Sequence, residues 1–141
     1  MVTSRQKALV QDSFVSLAPV AEDVVALFYG RLFELDPALR HMFPDNMVSQ
    51  HRKLAQMLTA AVKGLDHLEQ LIPVLRDLGR RHAAYGVTEG HFATVGASLL
   101  WTLEKGLGRA FTPELKEAWA TVYGVLATVM IDAMGRKTEA A

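Results

Sequence analysis

Apolar residues recur along this chain at steps of three and four positions, and glycine or proline interrupts the pattern at intervals. One such stripe joins Ala21, Val25, Phe28, Leu32 and Leu35. This spacing places apolar side chains on one face of an α-helix, and the alternation typical of a half-buried strand is missing from the sequence. The sequence therefore predicts an all-α fold.

Caps and helix breakers set the expected boundaries of these helices. Thr88 is expected to cap a long helix, and Thr112, Pro113 and Glu114 have the cap, proline and acidic first turn of another helix start. We expect the final segment, 136–141, to fray. The helices are expected at 4–17, 21–35, 37–42, 47–62, 68–85, from Thr88 onward and at 113–135.

Length and composition narrow the class of protein. A chain of 141 residues predicts a single domain over 1–141, with a core at about 4–134. Fifteen basic and fifteen acidic residues give a net charge of zero, which argues against a nucleic-acid partner. The absence of Cys excludes disulfides and thiolate metal sites. The polar start and the lack of a long apolar run predict no membrane partner and a cytoplasmic location.

One histidine continues an apolar stripe. His82 lies four positions after Leu78 on a stripe that includes Leu71 and Leu75. We therefore expect its imidazole to face inward, where it needs a hydrogen-bond partner or a metal. On spacing alone, a core histidine bonded to a backbone carbonyl is the more common arrangement, and both interpretations stay open at this point.

Two further polar side chains fall on apolar faces. Gln50 lies on the stripe of Met47 and Leu54, and Tyr29 follows Val25 by one helical turn. A buried phenol needs a hydrogen-bond partner. The alternatives are a half-exposed glutamine without a role and a tyrosine that serves only as packing.

The known site chemistries leave few uses for these three residues. Zinc requires at least three protein ligands, and no His, Cys, Asp or Glu stands at ligand spacing around His82. Nucleophile motifs and phosphate-binding glycine loops are also missing from the sequence. A single inward histidine can hold a metal whose other ligands come from a cofactor, as a proximal histidine holds haem iron.

From about Ser4 to Met134 the sequence resembles the globins, and in particular bacterial single-domain globins, the globin domain of flavohaemoglobins and the neuroglobins. Six stretches in order carry the resemblance: LFYGRLFELDP (27–37), HMFPDN (41–46), SQHRKLAQML (49–58), LGRRHAAYGV (78–87), VGASLLWTLEKGLG (95–108) and AWATVYGVL (118–126). The resemblance implies a globin fold, a three-over-three helical sandwich around haem b.

The resemblance also implies a role for each matching position. His82 corresponds to the proximal ligand of the haem iron, and Phe43 to the phenylalanine that stacks on the porphyrin. Tyr29 and Gln50 correspond to distal hydrogen-bond donors, and Leu54 to the apolar position over the iron. The resemblance implies further cofactor contacts for Lys53, which corresponds to a propionate-pairing lysine, and for the apolar pocket walls Phe28, Leu58, Leu78, Val87, Phe92, Val95, Leu99 and Leu126. Arg81 is a candidate partner for a propionate, with a solvated basic patch as the alternative.

A pocket of this kind implies a globin that binds O2 tightly, along with NO and CO, because two donors near bound O2 slow its release. Similar globins convert O2 and NO to nitrate and then need an electron. A chain of this length is expected to lack a reductase domain, so an external electron donor or reductase is implied. A non-catalytic O2 or NO scavenger, store or sensor is the alternative.

Two positions depart from the flavohaemoglobin pattern. The proximal tyrosine and glutamate of that group correspond to Phe92 and Met134 here, which argues against a peroxidase-like role. His51 lies about 100° round the helix from Gln50 and is expected to be exposed. His41, His67 and His91 are also interpreted as surface residues.

Overall fold

Six α-helices joined by short 3-10 segments form the described part of the chain, residues 2–140, in this computed structural model; side chains are described for residues 2–135. Residues 2–140 contain no strand, so the all-α prediction is confirmed. The α-helices are α1 Ser4–Leu17, α2 Ala21–Leu35, α3 Val48–Lys63, α4 Leu68–Ala84, α5 Glu89–Leu107 and α6 Pro113–Ala140. The 3-10 segments are Ala18–Val20, Pro37–Met42, Gly64–His67 and Gly108–Ala110.

Most boundaries match the expected positions because they depend on local capping. Thr88 forms a capping box with His91, whose Nδ1 accepts the Thr88 backbone N–H at 3.0 Å. His91 lies in the first turn of α5, where its half-buried ring caps the helix. The Thr112 hydroxyl accepts the Leu115 N–H at 3.2 Å at the start of α6.

The last helix extends past its expected end at residue 135 and continues to Ala140. The stretch between contains neither proline nor glycine that would stop a helix. Fraying was expected of 136–141, whose side chains lie outside the described residues, so this expectation stays a prediction.

Three apolar clusters form the core. The first lies where α1 packs on α6, around Val10, Phe14 and Trp119. The second, here called the α2–α3 cluster, consists of Val25, Phe28, Tyr29, Leu32 and Leu39 with the partly buried side chains packed on them. The third lies between α3, α4 and α6 and is built on Ala61, Leu71 and Leu75. The second and third clusters bury the inner faces of α2, α3 and α4, and these faces position the candidate site.

Two stretches of the described chain are long and apolar enough to cross a membrane by length and composition, Ser4–Leu35 and Pro113–Gly135. Core helices pass the same test. The first stretch changes from α1 to α2 at a 3-10 segment containing Pro19, and it buries Leu17 and Leu32. The second buries Trp119 in the first cluster. The expected absence of a membrane span stays a prediction.

Candidate functional site

His82 is half-buried near the end of α4, and one of its ring nitrogens is engaged. Its Nδ1 lies 2.6 Å from the carbonyl oxygen of Leu78, one helical turn earlier. Since a carbonyl only accepts, Nδ1 carries the proton and Nε2 has the free lone pair. Both interpretations of His82 predict this contact. The Nε2 atom makes no hydrogen bond to any described residue, which leaves it available to a metal.

Close helix packing fixes the backbone that carries His82. A Cβ on Gly79 would overlap the Met130 carbonyl oxygen, so α4 and α6 approach here as only glycine allows. After the helix, the Val87 N–H donates to the His82 carbonyl at 3.0 Å. The ring of Phe92 lies 6.3 Å from that of His82.

Tyr29 and Gln50, the two implied distal donors, are in direct contact. Gln50 Nε2 donates to the Tyr29 hydroxyl oxygen at 3.0 Å, and this bond joins α3 to α2. Tyr29 is 5% exposed, whereas Gln50 is half-buried. Burial raises the pKa of Tyr29, and the Gln50 hydrogen bond opposes that rise in pKa. The phenol therefore stays neutral. Its own O–H hydrogen is not donated to Gln50, because the Gln50 amide is the donor in this hydrogen bond.

Aromatic rings surround Tyr29. Phe28 and Phe43 meet it edge to face, at 5.1 and 5.5 Å between ring centroids, and Phe33 stacks on it at 6.0 Å. His51 stacks on it as well, at 5.2 Å with 13° between the ring planes. His51 is therefore half-buried, and the expectation that it is exposed was wrong. His51 contacts Tyr29 on α2 although it lies about 100° round α3 from Gln50, which contacts Tyr29 as well.

The residues implied as pocket walls belong to different apolar clusters of the core. Leu54, Val95 and Leu99 pack on the α2–α3 cluster together with Phe43, and Phe28 belongs to its buried part. Leu78 and Leu126 pack on the third cluster, and Leu58 on the first. Phe92 is buried beside His82, whereas Val87 is half-buried. Val87 lies between α4 and α5, and Phe43 follows the 3-10 segment Pro37–Met42; the other pocket-wall residues lie on α2, α3, α4, α5 and α6.

The two implied propionate partners lie at the surface. Lys53 is exposed and forms no ion pair with a described residue. Arg81 forms an exposed ion pair with Asp77 at 2.9 Å, one turn earlier on α4. Arg81 thus already has an ion-pair partner, whereas Lys53 is more available to pair with a propionate.

Sequence reasoning missed two residues that hold this region. Phe33 contacts both Tyr29 and Phe43, and its position four after Tyr29 on one helix was the signal that could have shown this. Ser98 is completely buried and donates from Oγ to the Phe28 carbonyl at 2.7 Å. No sequence pattern predicts that bond, because it joins α5 to α2 through a backbone atom.

The donor set fits haem better than a protein-only metal site. The described residues contain no group of three or more His, Cys, Asp or Glu side chains that could hold a metal ion. An iron at His82 would therefore take its other ligands from a cofactor, as haem iron does. The hydrogen bond from Nδ1 to a backbone carbonyl also fits, because a metal-bound histidine normally donates its second ring N–H in this way.

Comparisons with known proteins identify the family of the chain. The family profile "Globin" matches residues 26–130. Neuroglobin of Danio rerio is 36% identical to this chain, over 98% of this chain and 96% of its own length. The flavohemoprotein of Bacillus subtilis is 31% identical over 93% of this chain, which corresponds to 34% of the larger protein.

Solved structures give the same result. An engineered carbene transferase, derived from a candidate nitric oxide dioxygenase of Rhodothermus marinus, matches with a TM-score of 0.89 at 26% identity, over 99% of this chain and 98% of its own. A bacterial globin from Campylobacter jejuni matches with a TM-score of 0.83 at 26% identity, over 97% and 99% of the two chains.

The chain belongs to the globin family, with the all-α globin fold. Within that family it resembles neuroglobins and the globin domain of a flavohemoprotein, and both resemblances were expected from the sequence. Family membership implies that it binds haem and, at the haem, diatomic gases such as O2.

Proposed function

We propose that this protein is a haem b globin that holds O2 tightly and removes nitric oxide by dioxygenation to nitrate, with electrons from an external donor. His82 would hold the iron of a bound haem, and that group would supply the gas-binding and redox chemistry that the reaction needs. The relatives support the proposal, since they include a flavohemoprotein and a candidate nitric oxide dioxygenase. A cytoplasmic location, where reductants are present, is part of the same proposal.

The hydrogen bond between Gln50 and Tyr29 is the observation that carries the proposal. Because Gln50 donates to the phenol oxygen, the Tyr29 O–H hydrogen remains free to donate to a diatomic ligand. Accepting a bond from the amide also polarises the phenol and makes it a stronger donor. The amide has a second N–H of its own. The pair therefore acts as two linked hydrogen-bond donors, and the Tyr29 hydroxyl is the one that donates directly to the ligand.

Burial keeps this donor effective. The pKa of Tyr29 is raised by burial, so the phenol retains its proton throughout the physiological pH range. Phe28 and Leu54 help to exclude water, which would otherwise compete for the hydrogen bond. A donor in such a dry place slows the departure of a polar ligand, and slow release favours reaction of O2 over delivery of O2.

The surroundings of His82 favour ligand binding over peroxidase chemistry. Its Nδ1 faces a backbone carbonyl, and the nearby Phe92 offers only an apolar ring. A carboxylate partner would increase the electron donation of the imidazole more than a carbonyl does. The same observation supports the second candidate function, a non-catalytic scavenger, store or sensor of O2 or NO.

The test uses the purified holoprotein in its oxygenated ferrous form. After NO is added, nitrate is measured per haem, with and without an added reductase and its reduced nicotinamide cofactor. Many nitrates per haem with the reductase would support dioxygenation. One nitrate per haem under both conditions would favour the scavenger.

Two variants test the distal donors, and a third is the matched control. Y29F is expected to speed O2 dissociation by about tenfold or more, because it removes a hydrogen bond to a charge-bearing ligand. Q50L is expected to have a smaller effect in the same direction. Y85F removes a tyrosine hydroxyl that is 69% exposed and should leave O2 dissociation unchanged. If Y29F released O2 no faster than Y85F, Tyr29 would not be the donor.

A further inference from the structure

Two side chains of α3 contact the Tyr29 phenol, one at its oxygen and one at the face of its ring. Gln50 binds the oxygen at 3.0 Å, and the adjacent residue His51 stacks on the ring with centroids 5.2 Å apart. Neighbouring residues on a helix point about 100° apart, so the two side chains approach the phenol from different directions. Together they fix both the position and the tilt of one ring.

The other rings around Tyr29 do not provide this link. Phe28 and Phe33 are on α2 itself, the helix that carries Tyr29, and Phe43 ends the 3-10 segment that follows. These rings limit where the phenol lies in relation to its own helix. Among the described residues, Gln50 and His51 relate the hydroxyl and the ring face of Tyr29 to α3.

The geometry of the His51 contact is that of a specific pair. The planes are 13° apart, which is close to parallel, and both rings are at least partly removed from water. Parallel offset rings prefer a defined separation and orientation. His51 thus constrains the ring face in the way that Gln50 constrains the hydroxyl.

We infer that His51 is a positioning residue for the distal donor, holding the Tyr29 ring so that its hydroxyl points toward a diatomic ligand at the haem. This inference rests on the proposed role of Tyr29 as that donor. His51 acts through Tyr29 and does not itself contact the ligand. A ring of the same shape at position 51 would serve, whereas a side chain without a ring would not.

The experiment compares H51A, H51F, Y29F and the double variant Y29F/H51A as ferrous holoproteins, with H67A as an exposed histidine control. The rates of O2 and CO dissociation are measured for each, together with the infrared C–O stretch of the CO complex. A hydrogen bond slows the release of O2 far more than that of CO, since O2 takes on more negative charge. General loosening of the fold would change both rates and lower the thermal midpoint.

H51A is expected to speed O2 release by about three- to tenfold, with CO release nearly unchanged and a shifted C–O stretch. H51F should restore the wild-type values, and H51A should add nothing in the Y29F background, because the ring that it positions then has no hydroxyl. If H51A fails to retain haem, H51Q is used in its place, since it removes the ring but keeps a polar side chain.

Three results would overturn the inference. If Y29F speeds O2 release but H51A behaves like H67A, the positioning role fails while the proposed donor stands. The same conclusion follows if H51A and Y29F have additive effects. If Y29F itself has no effect, both the donor and the residue that positions it are excluded.

Discussion

α4 and α6 approach each other closely at Gly79 and Met130. A Cβ on Gly79 would overlap the Met130 carbonyl oxygen and would lie 2.9 Å from the Met130 Cα. We expect G79A to lower the free energy of unfolding by about 1–3 kcal/mol, because two backbones would have to separate. Urea unfolding of the purified protein measures this directly.

Gly124 gives the matched control for that substitution. It lies on the exposed side of α6, and a Cβ there would meet nothing within 4 Å. G124A should therefore leave stability unchanged or raise it by up to about 1 kcal/mol, the usual gain of alanine over glycine in a helix. Equal effects of the two substitutions would show that the close contact at Gly79 has no energetic role.

Tyr123 makes stability depend on alkaline pH. Its hydroxyl donates to the Phe92 carbonyl at 2.7 Å, and burial raises its pKa. In the unfolded chain the phenol loses its proton near pH 10, whereas in the folded chain it keeps that proton to a higher pH. This contribution to stability is therefore complete below about pH 10 and is lost as the pH rises from there toward the folded pKa.

The variant Y123F tests this pH dependence. At neutral pH it should be less stable by about 1 kcal/mol, because it lacks the hydrogen bond to Phe92. Above about pH 10 the difference should shrink, since the wild type alone has this phenol to ionise. Unfolding curves at neutral and alkaline pH measure both values. A constant difference at all pH values would contradict the expectation.

Ser98 stabilises the contact between α5 and α2. It is completely buried, and its hydroxyl donates to the Phe28 carbonyl at 2.7 Å. We expect S98A to reduce the free energy of unfolding by about 1 kcal/mol, the typical loss for one buried hydrogen bond. S16A, at an exposed position of α1, is the matched control and should change little. Thermal unfolding followed by circular dichroism distinguishes the two variants.

His82 should be required for normal haem ligation. In H82G the haem should bind more weakly and show an altered Soret band, because no other side chain takes the place of the imidazole. Added imidazole should restore the wild-type spectrum by filling the space that the side chain leaves. H67A serves as the control, since His67 is exposed. A wild-type spectrum for H82G without imidazole would exclude His82 as the axial ligand.

The helices were predictable because their signals are local. Thr88, Pro113 and the glycines act within one or two turns, and the observed boundaries of α1 and α2 match the expected ones. The last helix was longer than expected because Gly135 continues it, although glycine more often follows the end of a helix. A single glycine gives no certain boundary when the residues after it favour a helix.

The site was predictable residue by residue but not as a set of contacts. His82, Gln50 and Tyr29 interrupt apolar stripes, so the sequence alone singles them out. Whether Gln50 reaches Tyr29, 21 positions away, depends on how α2 and α3 cross. That crossing also brings His51 onto Tyr29, and it is decided by many side chains packed together. Periodicity along a single helix does not contain this information.

Because the chain is synthesised from its N-terminus, the packing of α4 on α6 affects when the fold can assemble. α6 is translated after α4, and until it emerges the face of α4 around Gly79 has no partner. α1 also lacks its packing partner until α6 emerges, because the buried residues of α1 pack around Trp119 on α6. The packing of α4 beside His82 is therefore complete only after α6 has emerged from the ribosome. We expect stable capture of haem to follow the emergence of α6 rather than to precede it.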